Sequence, residues 1–174
     1  SVQPSCSQLG TITVSSPVGS SFEYSINGST YQSLPSFTNL SPASYNVTVK
    51  NTATVCVSPA TVLIVNTPTG GPSAPSGLNT LNVTNAAATL QWSVVAGANS
   101  YTVEYKKSTA VDWIALTPTT QNTFSLIGLE SNTPYEWRVK ANCIIGPSSD
   151  YSLAQFSTSA FVINNIKNGL GIMV

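Results

Sequence analysis

Histidine is absent from the 174 residues, and that absence excludes more chemistry than any residue present adds. Ser-His-Asp and Cys-His mechanisms need an imidazole base, and the common zinc sites need imidazole ligands. Carboxylates or lysine are left for acid/base work, and both are scarce: 7% of residues are charged, six basic and six acidic. The acids are Glu23, Glu104, Asp112, Glu130, Glu136 and Asp150. Those inside strand-like stretches, Glu23, Glu104 and Glu136, fall on polar faces. The pattern therefore gathers no carboxyl pair into one cleft at the roughly 5–10 Å that a glycosidase uses. No Asp-x-Asp run or acidic loop offers a calcium cradle, and no glycine-rich phosphate loop occurs. The expectation is a protein that is not an enzyme, with no catalytic residues, no cofactor and no metal.

Charge of either sign is missing as well. A formal net charge of zero removes the electrostatic footprint that nucleic acid or an anionic membrane requires, so neither is expected as a partner. No apolar run approaches the roughly 20 residues that cross a bilayer, and no basic stretch followed by an apolar one opens the chain. Membrane insertion is not expected. The chain reads as a mature piece or an excised segment of a secreted protein, kept soluble by Ser, Thr and Asn.

What the sequence does have is alternation with period two. In AATLQWSVV, Ala88, Leu90 and Trp92 alternate with Thr89, Gln91 and Ser93; in SYTVEYK, Tyr101, Val103 and Tyr105 alternate with Thr102, Glu104 and Lys106. Tyr135, Trp137 and Val139 do the same against Glu136, Arg138 and Lys140. Each is a half-buried strand, and turn residues divide them, which predicts an antiparallel sandwich. The first part of the chain repeats the pattern. SFEYSI sets Phe22, Tyr24 and Ile26 on one face, and Asn27-Gly28 after it is a strong hairpin signal, so Ser29 to Ser33 should return antiparallel. SYNVTVK points Tyr45, Val47 and Val49 inward and Thr48 to water, and Ala60 to Val65 reads as a more buried closing strand. The fold class is all-β, as two tandem antiparallel sandwiches. Module one covers residues 1–66, a Pro/Gly linker of limited hinge freedom residues 67–74, and module two residues 75–159. Residues 160–174 read as the opening of a further module or as a strand packing on module two.

Pro75-Ser76-Gly77-Leu78, Trp92, Tyr101, Leu129 and Tyr135 resemble a fibronectin type III domain over roughly Ser73 to Ser159, and the resemblance implies that the two tandem sandwiches are immunoglobulin-like or fibronectin type III-like. The Leu129-x5-Tyr135 spacing is the most specific element, since the family buries such a tyrosine while its hydroxyl bonds nearby backbone. Gly97-Ala98 before Ser100-Tyr101, Asp112-Trp113, and Ala141-Asn142-Cys143 resemble the form found in secreted surface proteins of Bacteroidetes. In those relatives the cysteine after the sixth strand pairs with one before the opening proline; here that opening is Gly71-Pro72-Ser73-Ala74-Pro75. The first module, with its Tyr-Ser-Ile-Asn-Gly hairpin, Phe37-Thr38-Asn39-Leu40-Ser41-Pro42 and Tyr45-Asn46-Val47-Thr48-Val49, is similar to repeats of adhesins and gliding-motility proteins of the same bacteria.

Three cysteines leave one without an intramolecular partner. Cys6 precedes the first strand and Cys56 opens the last strand region of module one, so the reading is a Cys6–Cys56 disulfide, worth about 3–4 kcal/mol by loop entropy. The alternative is a pair of buried thiols. Cys143 is then left over. Trp92, Trp137, Tyr101 and Tyr135 fall on apolar faces and read as core. Trp113 follows a polar loop, and an exposed indole there could stack on a sugar ring or dock a neighbour, or else cover its own sheet. Tyr31 and Tyr151 are the other candidate ligand contacts. The expected function is a non-catalytic structural or adhesion pair in a larger extracellular or cell-surface bacterial protein. Its expected partners are other domains of that protein, surface proteins or polysaccharide. The alternative is an accessory carbohydrate-binding unit of a secreted polysaccharide-degrading enzyme, which needs a row of exposed aromatics.

Overall fold

A computed structural model describes residues 1–161, and every regular element among them is a strand. Five strands come from the first part of the chain: β1 (Gly10–Thr13), β2 (Phe22–Ser25), β3 (Ser36–Leu40), β4 (Ala43–Asn51) and β5 (Thr61–Val65). They form two sheets, β1-β3 and β2-β4-β5. Ile12, Leu40, Val47 and Val65 meet between them, with Val14, Ile26, Phe37, Tyr45 and Leu63 around the edge. Tyr24 is 1% exposed and its hydroxyl donates to the Pro17 carbonyl at 3.0 Å, so the buried ring keeps its polar end satisfied.

The turn at Asn27-Gly28 forms, but as a longer loop than the hairpin signal implies. Tyr24 and Gln32 exchange backbone bonds of 2.8 and 2.9 Å, and the return strand does not extend beyond that bridge. Side chains hold the loop. Ser25 Oγ accepts from the backbone N–H groups of Asn27 and Gly28, and Asn27 Oδ1 accepts from those of Ser29 and Thr30. Gly28 takes φ +75°, a conformation that costs a glycine nothing.

Two positions of this sandwich differ from the sequence reading. Thr48 is buried, because Tyr31 lies over it and the two hydroxyls are 3.1 Å apart. β5 is an edge strand and not a buried closing one: Val62 is 60% and Ile64 56% exposed, while Leu63 and Val65 point inward.

Seven strands follow: β6 (Asn79–Leu81), β7 (Ala87–Gln91), β8 (Ser100–Lys107), β9 (Ile114–Ala115), β10 (Thr123–Ile127), β11 (Pro134–Asn142) and β12 (Ser152–Ser157). They form the sheets β10-β7-β6 and β12-β11-β8-β9. Burial alternates strictly along β7 and β11, as the patterning predicts. Ala88, Leu90 and Trp92 from one sheet pack on Tyr101, Val103, Trp137 and Val139 from the other. Trp92 meets Tyr101 edge-on with ring centroids 5.3 Å apart, and Trp137 Nε1 donates across the sandwich to Thr80 Oγ1 at 3.0 Å. Tyr135 behaves as the fibronectin type III resemblance implies: its hydroxyl accepts from the Glu130 backbone N–H at 3.0 Å. Tyr101 does the same for Val95 N–H at 2.9 Å. Of residues 160–174, read from sequence as a further module or a packing strand, 162–174 lie outside the described residues.

The cysteines correct the sequence reading. Cys6 pairs with Cys143, not with Cys56, and Cys56 is an exposed free thiol. The bond joins the turn before β1 to the end of β11, with Cα atoms 4.4 Å apart, and Ile144 N–H donates to the Cys6 carbonyl at 2.7 Å beside it. The linker packs against the same region. A Cβ on Gly71 would come within 2.9 Å of the Pro147 carbonyl oxygen, and one on Gly146 within 3.3 Å of Pro68. Spacing along the chain favours a partner within the same module, whereas the docked linker brings Cys6 to the far module. Digestion without reductant is expected to yield one linked peptide pair containing Cys6 and Cys143, with Cys56 fully alkylated by iodoacetamide. A Cys6-to-Cys56 linkage in the same mass spectrum would contradict this.

Candidate functional site

The outer face of β8 and β11 collects more charge than any other part of the described residues. Inward positions of these strands are taken by Tyr101, Val103, Trp137 and Val139, so period two sends Glu104, Lys106, Glu136, Arg138 and Lys140 outward. Antiparallel register then sets Arg138 directly opposite Glu104, and Glu136 opposite Lys106. Opposite charges at facing positions attract, and both pairs close. Arg138 Nε donates to Glu104 Oε2 at 2.6 Å, and Lys106 Nζ lies 3.4 Å from Glu136 Oε2.

Aromatic rings brace these pairs. The Arg138 guanidinium carbon is 4.2 Å from the Trp113 ring centroid and 4.2 Å from that of Tyr151. Lys106 Nζ approaches Trp113 at 5.1 Å, and Lys140 Nζ approaches Tyr151 at 4.9 Å. The order Lys106, Trp113, Arg138, Tyr151, Lys140 thus alternates cation and ring. Each such contact contributes about 0.5–2 kcal/mol, more as solvent is excluded. Tyr151 completes the network by donating its hydroxyl to Glu104 Oε1 at 3.0 Å. Burial, and then that bond to a carboxylate, hold the Tyr151 hydroxyl pKa above its ordinary value. At the edge of the same sheet Lys107 pairs with Glu130, and that bond raises the lysine pKa.

Two of the three aromatic candidates therefore meet around one guanidinium. Trp113 and Tyr151 are partly buried, and each gives a ring face to Arg138. Tyr31 belongs to the other sandwich, where it covers Thr48 with Lys50 Nζ 5.5 Å from its centroid. Arg138 and Glu104, which organise the face, were legible only as polar-side residues; their pairing depends on a register that the sequence does not print. The carboxylates on this face are each engaged by a cation, and the described residues contain no cluster of three potential metal ligands. The arrangement stiffens a sheet and presents a rigid, nearly neutral surface.

Arg138→Ala removes two ring contacts and leaves Glu104 without its cation, so it should destabilise the protein by about 2–4 kcal/mol in urea unfolding. Arg138→Lys should recover only part of that, because an ammonium lacks the planar fork. A raised pKa in the folded state means that the folded form holds its proton more tightly. The stability contributed by Tyr151 is then complete below pH ~10, the ordinary tyrosine pKa, and is lost as pH rises through the higher folded value. Melting temperatures followed from pH 8 to 11.5 should fall less steeply for Tyr151→Phe than for the unaltered protein.

Comparison with known proteins places this architecture. The family described as the fibronectin type III domain matches residues 73–155. No curated protein matches the chain. Among solved structures, the crystal structure of domains A168–A170 from titin is similar at 19% identity with a TM-score of 0.50, covering 79% of this chain and 54% of that one. The solution structure of the fn3 domain of the human collagen alpha-1(XX) chain is similar at 23% identity with a TM-score of 0.48, covering 55% and 93%. A structure described as FN3tt is similar at 21% identity with a TM-score of 0.46, covering 52% and 97%. Domains of the matched kind are typically non-catalytic structural or interaction modules. With its two sheets, its bonded Tyr135 and its matched span, the segment 73–155 has the architecture of the fibronectin type III domain that it matches.

Proposed function

We propose that the two sandwiches form a non-catalytic extracellular pair that spaces or presents other parts of a larger secreted or cell-surface protein. The observation that carries this reading is the Cys6–Cys143 bond. A disulfide that ties two domains is stable in an oxidising compartment and is reduced in most cytosols. The ion pairs described above agree with a scaffolding role, since they are spent on one another and not aimed into a cleft. Other domains of the parent protein, or proteins of the cell surface, are the partners that such a pair would meet.

Accessibility tests the location. On intact cells of the source organism, a membrane-impermeant maleimide should label Cys56, and a signal that appears only after lysis would overturn the extracellular reading. The alternative role, a carbohydrate-binding unit, depends on free ring faces, and Trp113 and Tyr151 lend theirs to Arg138. The protein should therefore pass through cellulose, chitin and xylan without retention. Retention abolished by Trp113→Ala would favour the carbohydrate role instead.

A further inference from the structure

The first sandwich is open along one seam, between the edges of β1 and β5. At one end the edges touch, because a Cβ placed on Gly10 would lie 2.6 Å from Val65 Cγ1. Toward the other end they part into a groove of ≈ 680 Å³, whose apolar lining is Ile12, Val14, Phe22, Val47, Val49 and Leu63 with prolines at its ends. No charged side chain lines it.

Strand parity shows which backbone groups face this seam. Val14 N–H donates to the Pro35 carbonyl at 2.9 Å and Ile12 lies opposite Phe37, so these residues bond toward β3. Thr11 turns the other way and exchanges bonds of 2.7 and 3.0 Å with Val2, and Thr13, two residues on, points along that same free edge. On β5 the alternation runs likewise. The Ile64 carbonyl accepts from Gln3 Nε2 at 3.1 Å and Asn66 N–H donates to Gln3 Oε1 at 2.8 Å, so the even-numbered residues face outward from β4. Val2 and Gln3 thus already bridge both edges at the closed end. Past them, the same alternation turns the peptide groups of Thr13 and Val62 and the N–H of Ile64 toward the seam.

Two strand edges that turn peptide groups toward a shared apolar floor match one kind of occupant. A small apolar molecule would leave the peptide groups bare, and a sugar would find one aromatic ring in the floor. An extended strand satisfies both features, since its backbone pairs with the edges while alternate side chains enter the groove. We propose that this seam takes an extended strand from a partner polypeptide, antiparallel to β1 as Val2 is, with apolar residues at every second position and little charge. The inference stands on the geometry of the first sandwich and goes beyond the structural role proposed above.

Cys56 lines the groove and is a free thiol, which supplies a native reporter. The full chain, labelled with 15N, would be titrated with the peptide Lys-Ser-Val-Thr-Val-Thr-Val-Ser-Lys and with a control carrying Ser for each Val. The valine peptide should bind with a dissociation constant of about 10–100 µM. It should slow amide exchange at Thr13, Val62 and Ile64, and slow maleimide reaction at Cys56 at least about tenfold. The control should do neither, and protein already carrying a bulky maleimide on Cys56 should lose the valine peptide. Unchanged amides and an unchanged Cys56 rate at about 1 mM peptide would overturn the proposal. Concentration-dependent changes at the same amides without peptide would overturn the choice of partner, because a second copy would then fill the seam.

Discussion

Strand β11 is the constraint on which the rest of the second sandwich depends. One face of nine residues supplies Tyr135, Trp137, Val139 and Ala141 to the core, all but fully buried. The other face supplies Glu136, Arg138 and Lys140 to the ring-and-cation ladder. Its start holds the tyrosine whose hydroxyl fixes the turn at Glu130, and its end leads directly into Cys143. A one-residue slip in its pairing would exchange the two faces, burying charge and exposing Trp137. Core packing and surface pairing therefore specify the same register, and agreement between levels of this kind is what separates one fold from its competitors.

The two sandwiches are unequal in what they bury. The second closes over two tryptophans and has a continuous core, whereas the first gathers four buried aliphatic side chains and is open along a seam. A domain of some 60 residues removes a smaller share of its surface from water and is correspondingly marginal. The bond from Cys6 to Cys143, with a separation of 137 positions, offsets this by about 5 kcal/mol in the chain-entropy account, and it restrains both sandwiches together.

Most of the strands were legible because burial on one face of a sheet imposes alternation that no other element shows. Ala88-Leu90-Trp92 and Tyr135-Trp137-Val139 could be assigned inward from sequence, and so could the bonded hydroxyl of Tyr135. Pairwise features were not legible. Glu104 and Arg138 lie 34 positions apart, and only the pairing of β8 with β11 sets them face to face. Thr48 looked solvent-facing because its cover, Tyr31, comes from a loop. Val62 and Ile64 looked buried because TVLIV is apolar throughout, and apolar character does not distinguish a central strand from an edge. Cys6 looked matched to Cys56 because separation along the chain says nothing of how a linker folds back.

The position of the disulfide also decides how the unit would respond to tension. A pull on the chain ahead of Cys6 passes through the sulfur atoms to Cys143 and onward into β12, bypassing everything from β1 to β11. The first sandwich then hangs as a side loop, loaded only through the bonds of Val2 and Gln3 to the edges of β1 and β5, and its other strands are not stretched while the disulfide is intact. Cleaving that bond would return on the order of 450 Å of contour to the loaded path, so chemistry at two sulfur atoms sets the mechanical length of the whole segment.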